Sequence, residues 1–324
     1  MGDDSFADVA RRALHDAGYS IRAAAKATHY DPSLLSRCLN GKAKPSLKLA
    51  EALDELLGTG GALAATVLRD DERGRVAASA ANPGRLDAGT VDALAGVLAA
   101  FRRLDDSVTA PTIAPAVLVQ TKEVTRLLKG ARGPHRDELA AVVSEHHLFM
   151  GWLLAQAGKH AAAGRWLTDA VGIADEIQDG TLSAAALNFM GYSARAQGNP
   201  QGVARWFAAA AATPGAHPAQ RVGDILQSAA GVAQLGRRSD ALRLVGEAET
   251  LMDQAAARPA PAVAYWLDGA FLRLNLGIAS AGLGRYSDAV DHFTAGLAGL
   301  PDHFRSAPWT AEHRGALARA EALR

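Results

Sequence analysis

Phe149-Met150-Gly151-Trp152-Leu153-Leu154-Ala155-Gln156-Ala157-Gly158 returns forty residues on as Phe189-Met190-Gly191-Tyr192-Ser193-Ala194-Arg195-Ala196-Gln197-Gly198. The same offset carries Arg165-Trp166-Leu167 onto Arg205-Trp206-Phe207. Self-similarity at such a period is the mark of stacked supersecondary units. Each unit reads as a helix, a glycine turn and a second helix: Gly151 to Gly158 with Ala163 to Ala170, then Gly191 to Gly198 with Val203 to Ala210. Two more units turn at Gly236 and Gly284, so the turns are spaced by 40, 38 and 48 residues. Glycine and alanine recur where paired helices need small residues at closest approach, while Leu, Phe and Tyr fill the holes between neighbours.

Outward from the repeats, the composition agrees with an all-α fold. Apolar residues make up 49% of the chain but aromatic ones only 6%, and the excess is alanine, which favours helices. A chain of 324 residues suits two domains. The sequence places a small helical domain at 1–69, an exposed linker at 70–90 around Asn82-Pro83-Gly84, and the repeat domain at 91–324. Within the latter, Arg102-Arg103-Leu104-Asp105-Asp106 reads as a solvated helix end with weak ion pairs.

Several function classes drop out. The apolar stretches fall short of the roughly 20 residues a membrane span needs. Met1-Gly2-Asp3-Asp4 is acidic with no basic or apolar leader region, so the chain is expected in the cytoplasm. A single cysteine, Cys38, excludes an internal disulfide and a multi-cysteine zinc site. His146 and His147, with Glu138 and Glu145 nearby, do not make a metal site, since neighbouring helical residues point about 100° apart. No phosphate loop, nucleophile elbow or dinucleotide fingerprint appears, so neither catalysis nor a cofactor is expected.

Net charge is zero, with 34 basic and 34 acidic residues, but its distribution is uneven. Between Ser20 and Lys48 lie Arg22, Lys26, Arg37, Lys42, Lys44 and Lys48 against one acid, Asp31. Such a local surplus can neutralise phosphates. Helical signals frame it. Phe6, Val9, Ala10, Ala13 and Leu14 make a first helix stopped by Gly18, and Ser20 caps a second, Ile21 to Thr28. Asp31-Pro32 opens a third that ends at Asn40-Gly41, and Ser46 caps a fourth carrying Leu47, Leu49, Ala50, Leu53 and Leu57. The short turn His29-Tyr30-Asp31 sets the second and third helices in crossed geometry, making the third the probe for a major groove. Tyr30, Leu35 and Cys38 then face the core. Arg22, Lys26, Ser33, Ser36, Arg37, Asn40, Lys42 and Lys44 are the candidate DNA contacts.

The pattern Ser20-(x)15-Ser36-Arg37-(x)2-Asn40-Gly41-(x)3-Pro45-Ser46 resembles the Xre, or lambda-repressor, class of helix-turn-helix domains over about residues 5–58. It departs from that class at Ile21, where a phosphate-holding Gln is usual, and at His29, where the turn usually has Gly. Leu276-Gly277, Gly284-Arg285-Tyr286, Ala289, Phe293 and Pro301 resemble the tetratricopeptide consensus, a resemblance covering about residues 135–302. The turn intervals exceed that family's roughly 34 residues, implying longer helices or inserted loops such as Arg258-Pro259-Ala260-Pro261. Trp309 to Arg324 reads as capping helix.

By the second resemblance, the first helix of each unit lines an inner surface. It projects Glu145, Leu148, Trp152 and Gln156 from the first unit, and Asn188, Tyr192 and Arg195 from the second. Leu226 and Gln234 come from the third, and Phe271, Leu274 and Ile278 from the fourth. Trp152, Gln156, Asn188, Tyr192, Arg195 and Gln234 are the candidate ligand contacts, in a groove suited to a peptide; Trp166 and Trp206, on second helices, are expected in the core. Together the resemblances imply a homodimeric bacterial transcriptional regulator of double-stranded DNA whose repeats sense a peptide, small molecule or protein partner. The alternative is an interaction scaffold with a merely tethering head.

Overall fold

The computed structural model describes residues 5–81, 83–256 and 258–324. The acidic Met1–Asp4 and Asn82 of the expected linker lie outside the described residues. The fold is all-α, and no strand occurs among the described residues. None of the helices described is long and apolar enough to cross a membrane. The chain divides into two units, Met1–Ala93 and Leu94–Arg324.

Local capping chemistry sets the helices of the first unit: α1 (Phe6–Asp16), α2 (Ile21–Ala27), α3 (Pro32–Leu39), α4 (Leu47–Leu57) and α5 (Ala62–Ala81). Ser20 Oγ accepts from the Ala23 N–H at 3.2 Å, Asp31 Oδ1 from those of Ser33 and Leu34 at 2.9 Å, and Ser46 Oγ from Leu49 at 3.2 Å. Each satisfies a donor that a helix start leaves open. Phe6, Leu14, Leu35, Cys38, Leu39, Leu49, Leu53 and Leu63 form the core of this unit, with Tyr30 packed against it.

The stretch after Gly61 differs from the sequence reading. Instead of a short helix to Arg69 and a charged linker, α5 runs unbroken to Ala81. Its charged residues and alanines are good helix formers, and its start is anchored from α4. Asp54, buried, accepts from the Leu63 N–H at 2.9 Å and the Ala64 N–H at 2.8 Å. A helix α6 (Ala88–Asp105) follows, its residues from Leu94 onward belonging to the second unit.

The rest of the second unit is a helical solenoid. After α7 (Ala110–Gly130) come four antiparallel pairs: α8 (Arg136–Gln156) with α9 (His160–Glu176), α10 (Gly180–Ala196) with α11 (Pro200–Ala212), α12 (Pro218–Gln234) with α13 (Arg238–Ala256), and α14 (Gly269–Gly282) with α15 (Tyr286–Gly299). Short α16 (Asp302–Arg305) and α17 (Ala311–Leu323) close the array, α17 packing on α15. Within each pair the turn glycine, Gly158, Gly198, Gly236 or Gly284, has φ between 63° and 76°. This is the left-handed cap conformation that side chains disfavour.

Seven residues before each of those glycines stands another small residue: Gly151, Gly191, Ala229 and Gly277. A Cβ at Gly151 would come within 2.6 Å of Leu167, at Gly191 within 2.6 Å of the Phe207 ring, and at Gly277 within 2.7 Å of the Phe293 ring. Leu167, Phe207 and Phe293 are all buried. In the third pair, where Ala229 replaces the glycine, the matching position holds the smaller Val245. Bulk on one helix is thus matched by its absence on the other.

Gly191→Ala should therefore cost about 1–3 kcal/mol through overpacking. Phe207→Val should cost a comparable amount through the void it leaves. The double variant, which reproduces the third pair, should lose clearly less than the sum of the two, as read by urea unfolding. Strict additivity would show that the ring and the glycine are not coupled.

Candidate nucleic-acid interface and inner cavity

In the first unit, α2 and α3 are joined by a tight turn in which His29 adopts φ 58°. The Tyr30 N–H closes back on the Ala25 carbonyl at 2.9 Å, completing a helix cap normally built on glycine. The side chain at this site costs about 1–2 kcal/mol of backbone strain. Arg11 on α1 donates to the Leu39 carbonyl at 2.5 Å and so pins the end of α3.

This scaffold presents α3 outward. Ser33, Arg37 and Asn40 are exposed and Ser36 is half-buried. Ser33 Oγ donates to Asp31, and Asn40 Nδ2 donates to the Ser36 carbonyl at 2.8 Å. The Ser33 bond is the largest of the causes holding the Asp31 carboxyl below its usual range. Arg22, Lys26, Arg37, Lys42 and Lys48 are exposed and form no ion pair among the described residues. Lys44 does: its ammonium pairs with Asp71, on the part of α5 that the sequence reading left as linker. The exposed Ile21 sits beside Arg22 at the start of α2.

In the second unit, the inner helices surround a cavity of about 110 Å³. Trp152, Asn188, Tyr192 and Arg195 line it, as the repeat register predicts. Gln156 stands behind the lining, donating to Asp105 at 3.4 Å. Gln234 is a correction: it is exposed at the last residue of α12. Gln220 and Gln227 of the same helix line the cavity, and seven residues beyond Gln227 is about 10 Å further along the axis, past the cavity's end.

The polar groups expected to grip a ligand are bound within the chain. Arg195 makes a two-pronged bridge to Glu312, Nε to Oε1 at 2.6 Å and Nη2 to Oε2 at 3.1 Å, and its Nη1 donates to Gln227 at 2.5 Å. Gln227 Nε2 in turn donates to Asn275 at 2.7 Å. Asn188 donates to Asp224 at 2.5 Å. Complete burial pushes the Asp224 carboxyl well above the usual range, against the pull of that hydrogen bond. For Glu312 burial raises the pKa, but the Arg195 charge and hydrogen bonds outweigh it and hold the carboxyl below its ordinary value.

Other walls come from residues the sequence reading put elsewhere. Arg102 and Asp105 are a second correction: they end α6 inside the structure rather than in solvent. Arg102 pairs with Glu145 at 2.6 Å, and Asp105 accepts from the Trp152 indole N–H at 2.7 Å. The segment after α13 adds Val263, Ala264, Tyr265 and Trp266, and the capping region adds Trp309, Glu312 and His313. No local pattern could flag these, because they reach the cavity only through tertiary packing. His146 and His147 are buried, and one ring nitrogen of each is bonded, to the Val142 carbonyl and to Thr125, each at 2.9 Å, while the other has no hydrogen-bond partner. Trp166 and Trp206 are partly buried, the first with its ring 4.8 Å from His147.

Residues 5–67 match the family model described as a helix-turn-helix domain. No curated protein matches the chain. The match includes α1 to α4 with the α2–α3 turn and stays within the first unit.

Burial raises the Asp105 pKa to about 6, opposed by the Trp152 hydrogen bond and reinforced by Asp106. The folded chain therefore holds this proton more tightly than the unfolded one. The associated stability is complete below the ordinary carboxylate range and is lost as pH rises through about 6. Asp105→Asn should be more stable than wild type at pH about 8, by on the order of 2 kcal/mol, with the gap narrowing towards pH about 4. Urea titrations at the two pH values read this, and a gap that does not narrow on acidification would contradict it.

Proposed function

We propose that the chain is a sequence-specific DNA-binding transcriptional regulator of Xre type, acting in the cytoplasm. In this reading its tetratricopeptide-like second unit binds an effector and mediates dimerisation. One observation carries the DNA reading: a helix-turn-helix domain presents, on and around α3, basic side chains without an internal acidic partner. Cations of this kind are available to phosphate, and Arg37 and Asn40, exposed at the end of α3, are taken as the base contacts in this reading. One such domain reads only a half-site, which favours a homodimer on paired half-sites. The effector reading is supported by the inner cavity, a partly open space with aromatic and polar walls. Binding there would shift the regulator only if the ligand prefers one arrangement of the chain over another.

Selection from random duplex DNA should yield an operator, and Arg37→Ala with Asn40→Ala should abolish its specific retardation while leaving helicity intact. Lys42→Ala should weaken all sequences alike and reduce the slope of log affinity against log salt by about one contact. Lys44→Ala should reduce it less, because Asp71 already holds that ammonium. Retention of no DNA at low salt would instead favour the scaffold reading.

Light scattering should give the mass of a dimer at micromolar concentration, free or on operator DNA. A monomer under both conditions would remove the paired half-site arrangement.

A further inference from the structure

We propose that the inner cavity of the second unit binds a small organic cation: a protonated amine carried on a compact apolar or aromatic body. The inference rests on reading this unit as the effector domain and specifies what chemistry the effector has.

The cavity first limits size. At about 110 Å³ it is of the order of the roughly 150 Å³ space that takes up a benzene ring, so it suits one ring or a short branched chain rather than a folded peptide. Its walls then set character. Trp152 stacks on Phe189 at 5.0 Å and meets Tyr192 at 4.7 Å, and Phe189 stacks on Trp266 at 5.9 Å between centroids. Contiguous ring faces of this kind attract cations as well as apolar groups.

Charge decides between ligand classes. The two guanidiniums in the wall, Arg102 and Arg195, are already paired with Glu145 and Glu312, although Arg102 Nη2 keeps a buried N–H without a hydrogen-bond partner. An anionic ligand would find at most that one N–H, on a guanidinium whose charge Glu145 already offsets. Asp105 is different: it is 9% exposed, its hydrogen bonds come from the Trp152 and Gln156 N–H groups, and no cation pairs with it among the described residues. A buried carboxylate in such a place lacks the positive charge that would offset its desolvation. An ammonium group supplies it beside a ring face.

A second buried group points to an occupant. His313 lines the cavity, is 3% exposed, and neither ring nitrogen has a hydrogen-bond partner. Its ring is held edgewise against Phe271 and Trp309, at 5.9 and 6.2 Å. Unpaired buried nitrogens are costly. A ligand with a hydrogen-bonding group remote from its ammonium would satisfy one of them, whereas a plain hydrocarbon would leave both His313 and Asp105 uncompensated.

Three probes with one body separate charge from shape: 2-phenylethylammonium, 2-phenylethanol and phenylacetate, titrated into the full chain at pH about 7.5 while tryptophan emission is followed. Trp152, Trp266 and Trp309 all report from the cavity wall. The ammonium should bind saturably and at least about tenfold more tightly than the alcohol, with phenylacetate weakest. Asp105→Asn should bring the ammonium to the level of the alcohol. Trp266→Leu should weaken the ammonium and the alcohol together. Equal binding of alcohol or carboxylate, an ammonium preference that survives Asp105→Asn, or no binding of any probe at millimolar concentration would overturn the inference. DNA affinity measured with and without the ammonium tests the effector reading separately. Binding without a change in DNA affinity keeps the cation site and removes its regulatory role, while a carboxylate that binds and alters DNA affinity does the reverse.

Discussion

Two helices can lie side by side only as closely as their bulkiest facing residues permit, and the second unit meets this limit by a fixed spacing around each turn. Counting from the turn glycine, the residue seven before is Gly or Ala, and the residue nine after is Leu, Phe or Val. Positions five and twelve after are small in every pair but for Val203: Ala163, Val203, Ala241 and Ala289, then Ala170, Ala210, Ala248 and Gly296, all buried. The large residue enters the space that the small one vacates, so register and pairing are set together. Everything further in depends on this, because it fixes which side chains of α8, α10, α12 and α14 face the interior.

That interior is a pinned surface rather than an open groove. Arg195 on α10 is held by Glu312 on α17 and by Gln227 on α12, which passes the connection to Asn275 on α14. Bridges of this kind, with one partner half-screened from water, fix geometry more than they stabilise. They leave His313 and Arg102 Nη2 as buried cavity groups without a hydrogen-bond partner, and Asp105 as a buried carboxylate without a paired cation among the described residues. The cavity is therefore a product of both ends of the unit, the last turn of α6 and the first of α17, closing over the repeats between them.

Much of this was legible in the sequence, for identifiable reasons. Caps and turns are local, so Ser20, Asp31, Ser46 and the turn glycines announced α2, α3, α4 and the helix pairs. The forty-residue echo gave the small-to-large register, and the tetratricopeptide resemblance put Trp152, Asn188, Tyr192 and Arg195 on the inner side. What escaped was non-local. The stretch after Arg69 is largely exposed, as it reads, but it is helical rather than linker, because its support, Asp54 capping Leu63 and Ala64, acts through space across the Gly58–Gly61 break. Asp105 reads as part of a solvated helix end, and Glu312 does not stand out in the sequence, because their partners lie 47 and 117 residues away. Gln234 fell on the predicted helix face, but a face says nothing about how far along it a cavity extends.

The sole thiol of the chain sits on the inward side of α3. Cys38 is 2% exposed in the core of the first unit, and burial raises its pKa above the ordinary thiol value, so it is doubly protected from alkylation. A thiol reagent can reach it only when α3 lifts from that core. Its labelling rate under native conditions is thus a clock for opening of the helix-turn-helix alone, with no background from the solenoid. Because the sulfur and the outward Arg37 are adjacent in sequence, slower labelling in the presence of a duplex would report grip on α3 itself.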